Sequence, residues 1–518
     1  MEGLLNFLDD LLRGFLLLLF ALAFGAQWWS ASVLPQLGGS ERLRRLARRT
    51  VAFSAALLAM AHLLAFLIKG FALDAALSRF SWSLFLTTTW AQATLLRGAL
   101  AAIWSFLAFG RPGERALWLA AIGVWLSGGW LTHAVGRLEN GLLLMAATLI
   151  HQAAACSWLG GIWQLLLIWW WDRPRWQRAL VAFFEPGFLA VVVAVTSGAL
   201  LAHFYVGSLP GLVGSGYGTM VVVKTALLAA VLACALFNHH FGQRREAFSL
   251  VPPVVETELF LLAALLFVAA ALSGLPPAID IEPLLVPVQE VWAMFAPKWP
   301  QLSSPSIEEL LPAEEMRKRL VEKVPEETVA AVAWSNFNHN IAGLFVVVMA
   351  LFALVGYFKR FSWSRYWPVG FFGLGLFILL RSDAEAWPFG PMGFFESMFA
   401  NGEILQHRLG ALLAFLLGGI EIRARRPGAR RFRYLFPLLA AFGGIVLLTH
   451  SHVGFELQTE FLIQSTHVAM GLFALFLGAC RWLEIRLPPP YSCWAGAIAM
   501  GWMVGVGLLL LFYKEPLG

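Results

Sequence analysis

Long apolar runs recur along this chain, separated by short polar stretches. Fourteen can be marked, at approximately 12–34, 50–69, 85–109, 116–137, 141–168, 179–205, 218–238, 255–273, 340–358, 366–381, 403–421, 434–453, 461–481 and 492–513. A bilayer crossing takes roughly 20 apolar residues, so the pattern predicts an all-α, polytopic membrane protein with about 14 transmembrane helices. One stretch breaks the rhythm. Residues 274–338 open with the Pro-rich "LPPAIDIEPLLVPVQEVW" and continue into the charged "SIEELLPAEEMRKRLVEKVPEET", which reads as an external linker carrying one or two surface helices. The expected division is an eight-helix domain at 1–273, the linker at 274–338 and a six-helix domain at 339–518.

Composition agrees with the pattern. Of 518 residues, 59% are hydrophobic and 13% charged, and mean hydropathy is +0.72. A soluble domain is about a quarter charged, so a soluble enzyme is excluded. The net charge of +6 sits in short loops between apolar runs, a topology signal and not a nucleic-acid footprint. Five arginines fall in one such loop (Arg42, Arg44, Arg45, Arg48, Arg49). If that loop is cytoplasmic, 23 of the 37 Lys and Arg lie on its side, 11 on the other and three within spans (Arg97, Lys224, Arg408). Both termini are then expected outside, in the periplasm of a Gram-negative host, with the chain in the inner (cytoplasmic) membrane. The start lacks a basic n-region and a small-residue cleavage site and reads as a retained first helix. Cys156, Cys234, Cys480 and Cys493 form no CxxC pair, which argues against a disulfide framework or a thiolate cage. There is no P-loop glycine cradle for ATP.

Histidine is where candidate chemistry enters. On this topology His239 and His240 lie at a cytoplasmic helix end, and the other nine fall in the outer half of the membrane or near its middle. Imidazole coordinates copper or haem iron while neutral, which limits the cost of burial, and polar groups within spans point by default to function. The expected metal ligands are His133, His151, His203, His339, His407, His450, His452 and His467. In the second domain "NHNIAGLF", "QHRLGALL" and "STHVAMGLF" each open a helix with a glycine three or four residues after the histidine (Gly343, Gly410, Gly471). Three related hairpins would then bring one histidine each to a common mouth, the glycines allowing close helix approach. Expected pathway or structural polar groups are Arg97, Tyr217, Lys224, Glu256, Glu258 and Arg408. Arg97 and Lys224 have a snorkelling alternative. Arg408 needs a carboxylate such as Glu403, Glu456 or Glu460 beside it, or suits a haem propionate. Met392 and Met398 are read as packing residues.

Five pieces follow one another from the third apolar run to the eighth: "TTTWAQATLLRGAL", "LSGGWLTHAVG", "LIHQAAACSWLGGIWQL", "TSGALLAHFYVGSLPGLVGSGYGTMVVVKTALLAAVLACALFNH" and "VETELFLLAALLFVAAALSGLPPA". In this order they resemble the CopD copper-resistance family of bacterial inner-membrane proteins, with Ala91 where the family has Gly. They cover about residues 85–278, and the six C-terminal helices stand outside the resemblance. By position it carries over His133, His151, Trp158, Gly160, Gly161, Tyr217 and Lys224. The resemblance implies copper handling, with copper taken from the periplasm at outer-face histidines and moved inward, often beside a periplasmic CopC-type copper-binding partner. No CopC-like domain is fused here.

Two further readings stand beside a copper transporter or copper-binding protein. One is a b-type haem oxidoreductase or electron-transfer protein, since the HemJ-type protoporphyrinogen oxidases are similar to the CopD fold; His407 with His467, or His339 with His452, would hold the haem. Two histidines 13–14 residues apart on one helix, as in stacked di-haem cytochromes, do not occur. The other is a C-terminal scaffold that docks a partner.

Overall fold

In the computed structural model the described residues are 2–77, 79–110, 113–242, 244, 249–310, 329–357, 361–449 and 458–515. They are helical, and the only bridge among them is an isolated one between Ala386 and Met392. Each of the fourteen apolar segments carries one principal helix. These are α1 (Glu2–Ser32), α2 (Glu41–Ala76), α3 (Thr89–Gly110), α4 (Glu114–Ser127), α5 (Gly141–Trp171), α6 (Arg173–Val206), α7 (Gly216–Phe241), α8 (Val251–Leu272), α9 (Val329–Val355), α10 (Gly370–Arg381), α11 (Gly402–Ala424), α12 (Leu435–Thr449), α13 (Gln458–Arg486) and α14 (Tyr491–Leu511). Twelve candidate spans are long and apolar enough to cross a bilayer. The other two helices, α4 and α10, have 14 and 12 residues and continue in 3₁₀ turns. At Gly128-Gly129 the chain has no side chains to favour a helix, and Pro368 removes a backbone donor just before α10. The protein is a polytopic helical membrane protein.

The chain divides into two compact units. One comprises residues 8–212 and 220–281; the other comprises 1–7, 213–219 and 282–518. In the first unit α2 lies along α3, where the Ser105 hydroxyl donates to the Ala52 carbonyl at 2.8 Å. The α1–α5 crossing rests on glycine: a side chain on Gly25 would meet the Gly160 Cα at 2.5 Å. With little hydrophobic force between helices in lipid, such backbone proximity supplies the packing energy.

The second unit is a closed circuit of six helices, in the spatial order α9–α10–α11–α12–α13–α14 and back to α9. Its interior is filled by Met349, Phe371, Leu374, Phe436, Met500 and Met503. Gly343 meets α14 backbone near Gly507, and Gly444 faces the Gly471 carbonyl where α12 crosses α13. Gly410, expected to act likewise, has open space where a Cβ would be; the third member of the repeat makes no close helix contact there. The linker's short helix Val288–Phe295 is no free surface helix either. Its Val291 and Met294 are buried against Phe461, Leu462 and Tyr513. The charged segment 311–328 lies outside the described residues.

Candidate metal centre

Within the second unit, α9, α11 and α13 run in the same sense. His339, His407 and His467 each stand five to ten residues into those helices, and Tyr513 follows the end of the antiparallel α14. The four side chains therefore lie at one end of the circuit. The rings of His339 and His467 are 5.8 Å apart, centroid to centroid, and nearly perpendicular; Tyr513 packs 4.4 Å from His339 and 6.4 Å from His467.

Each histidine is oriented through Nδ1. That of His339 donates to the Ser335 carbonyl at 2.9 Å, and that of His467 to the Ile463 carbonyl at 3.0 Å, each one helical turn back. Nδ1 of His407 sits 2.6 Å from an Asp383 carboxylate oxygen. Anchoring Nδ1 to an acceptor fixes the tautomer with the proton on Nδ1, the usual outer arrangement behind metal-binding histidines. His407 makes no ring contact with the other two among the described residues, though His339 feels its charge. No group of three or more His, Cys, Asp or Glu among the described residues is arranged to hold a metal ion. What the structure brings together is a pair. His450 and His452 lie outside the described residues, as does Glu456.

Asparagines that sequence reasoning overlooked build the floor of this pair. In "SNFNHN", Asn336 accepts from the Glu515 amide at 2.7 Å, while Asn340 donates to the Tyr513 carbonyl at 2.8 Å and accepts from the Gln301 amide at 2.5 Å. Both are buried. They lie one turn apart on α9 and hold Tyr513 against His339. Asn338 donates to the Arg381 carbonyl at 2.6 Å, fixing the end of α10.

Asp383 was missed too. Burial pushes its carboxyl up, but the His407 ring beside it, the hydrogen bonds from His407 and Ser382 and the charge of Arg408 together bring it below the usual range. Burial raises Glu385 in the same loop. Arg408, for which a carboxylate or propionate partner was expected, has the Asp383 carboxylate in electrostatic range, while its hydrogen bonds go to the Leu379 and Trp387 carbonyls and it lies over the Phe394 ring at 4.9 Å. It ties the loop after α10 to α11. Met392 is buried in that loop, with its backbone paired to Glu385 and Trp387, and so serves packing.

The first unit places its expected residues differently. His151 is held by Ala194 O at 2.8 Å and Ser197 Oγ at 3.2 Å through Nδ1, and Lys224 Nζ approaches its Nε2 at 3.4 Å. Gly198 leaves the room for this ring. Both nitrogens are engaged, so His151 takes a metal only if Lys224 withdraws. Lys224 accordingly reaches His151 and does not snorkel. Glu258 accepts from Trp158 Nε1 at 2.8 Å and Asn238 Nδ2 at 2.7 Å, so the carried-over Trp158 orients a buried carboxylate. Gly160 closes the α1 crossing, and Gly161 faces the Phe183 ring. Glu256 is buried, and so is Tyr217, which belongs to the second unit. His133 packs edge-on to Tyr205, next to the Arg137–Asp280 ion pair of 2.9 Å. His203 is exposed and touches its neighbour Phe204. His133, His151 and His203 belong to no metal-holding cluster among the described residues.

Fold and site together define a polytopic helical membrane protein with paired, backbone-anchored imidazoles at one end of a six-helix circuit. Residues 177–272, from the start of α6 to the end of α8, match the family model CopD, copper resistance protein D. The chain thus carries a CopD-type segment in its first unit. No curated protein and no solved structure matches it.

Proposed function

We propose that the protein handles copper at the bacterial inner membrane, binding it from the periplasmic side at outer-face histidines and passing it inward. The observation that carries this reading is the His339–His467 pair. Two imidazoles on one copper ion, at about 2 Å per metal–nitrogen bond, have ring centroids from roughly 5 Å apart when bent to roughly 6.3 Å when linear, and 5.8 Å falls within that range. Two neutral nitrogens satisfy Cu(I) without a third ligand, and neutrality suits a site within apolar helices. The CopD-type segment supports copper as the cargo. His407, oriented by Asp383, is a second stop near the mouth, and the His151–Lys224 contact is a gate in the other unit. A CopC-type periplasmic protein is the partner that would load the pair.

Haem fits this pair poorly. The three centroid distances place the Tyr513 ring about 4 Å from the His339–His467 axis and within about 2 Å of the plane midway between them, where a bis-histidine porphyrin would lie.

The test is Cu(I) titration of purified protein against a chromophoric chelator. Wild type should bind tightly, and His339→Ala and His467→Ala should each weaken that binding by at least tenfold. Unchanged binding in both variants contradicts the proposal.

A further inference from the structure

The first unit contains a buried cation with no neutralising partner among the described residues. Arg97 on α3 is 6% exposed, and no hydrogen bond or ion pair reaches its guanidinium among the described residues. Its one direct partner is the face of Phe20, 5.0 Å away. The neighbours in electrostatic range are His62 and the Cys156 thiol, neither of them a carboxylate. Around it the other polar groups are also unpartnered. His62 on α2 is 1% exposed with both ring nitrogens unbonded, and Thr94, one turn before Arg97, is 2% exposed with its hydroxyl unbonded. The α2–α3 contact is close here, since a Cβ on Gly98 would lie 3.2 Å from the His62 Cβ.

The fold makes room for the guanidinium. A Cβ on Gly128, after the last turn of α4, would come within 3.2–3.4 Å of Arg97 Cζ and both terminal nitrogens. Glycine at 128 thus admits the charged group, which is held inside and does not snorkel.

A guanidinium keeps its proton in proteins, and removing it from water unpaired is costly. A cation–π contact offsets only part of that cost. The remainder calls for an acceptor. Arginine, a threonine hydroxyl and an imidazole N–H supply donors and positive charge, the chemistry of an anion site and the opposite of a cation site. A bare copper ion would be repelled at this level.

We propose that Arg97, His62 and Thr94 form an anion-binding site inside the first unit, taking a small monovalent anion, a halide or a carboxylate. The site is independent of copper binding at His339 and His467, and either can fail without the other.

The experiment measures saturable retention of radiolabelled chloride and of radiolabelled acetate by the purified full-length protein in detergent. Wild type should retain about one anion per chain, and competition between the two labels shows which source the site prefers. Arg97→Gln should abolish retention, and Thr94→Val should weaken it about tenfold through one lost hydrogen bond to a charged ligand. The exposed Arg79→Gln should leave it unchanged. Should Arg97→Gln fail to fold, Thr94→Val and Gly128→Leu decide, the second by crowding the guanidinium. No saturable retention of either anion by wild type, as expected if ordered water alone fills the site, overturns the proposal. So does retention that is unaltered by Thr94→Val and Gly128→Leu.

Discussion

At the scale of single residues the second unit solves one problem three times: how to hold an imidazole within apolar helices with a chosen nitrogen forward. His339 and His467 use the carbonyl one turn back, which any helix provides. His407 uses a buried carboxylate instead, and that choice has a pH signature. Asp383 is held below its ordinary range, so its contribution to stability is complete above the unfolded value of about 4 and is lost as pH falls through the lower folded value. The difference in thermal midpoint between wild type and Asp383→Asn should be constant through neutral pH and shrink below about pH 4. A difference that grows on acidification would contradict the pairing. The histidines were legible in the sequence because they are rare in apolar runs. Asp383 was not, because a carboxylate in a loop looks like any solvated charge until the fold buries it. Asn336 and Asn340 carried a signal in their one-turn spacing, but what they hold, the backbone at 513 and 515, is distant in sequence.

At the scale of elements, the apolar runs located fourteen helices, twelve of them in candidate spans long and apolar enough to cross a bilayer, since a span's requirement for apolar residues is local. Which glycines matter was not local. Gly343, Gly410 and Gly471 look equivalent in the sequence, yet two sit at helix crossings and Gly410 faces open space. The crossings set an expectation for unfolding in detergent. Gly160→Leu and Gly471→Leu should lower the thermal midpoint by several degrees or prevent folding, because a side chain there collides with backbone. Gly410→Leu should change it by no more than a degree or two. Equal losses at all three positions would show that backbone proximity is not what these glycines supply. The short α4 and α10 likewise depend on breaks, Gly128-Gly129 and Pro368, whose purpose appears only in three dimensions: the first of them admits Arg97.

For the whole molecule, two compact units carry different chemistry. Most of the CopD-type segment, including the buried Glu258, lies in one, as does the engaged His151 outside that segment, and the pair suited to copper lies in the other. Our orientation, with both termini in the periplasm, rests on loop charges and puts the exposed Cys493 on the cytoplasmic side, while Cys156 is buried. A membrane-impermeant maleimide should therefore label Cys493 in inside-out vesicles and leave it unmodified in spheroplasts. The reverse pattern would invert the topology and turn the histidine mouth towards the cytoplasm.

The most direct measurement of the central claim is X-ray absorption at the copper edge on Cu(I)-loaded protein. The account predicts two nitrogen ligands at about 1.9–2.0 Å with the multiple-scattering pattern of imidazole, lost in the His339→Ala, His467→Ala double variant. A first shell of sulfur, or an imidazole signal that survives the double variant, would place the copper elsewhere.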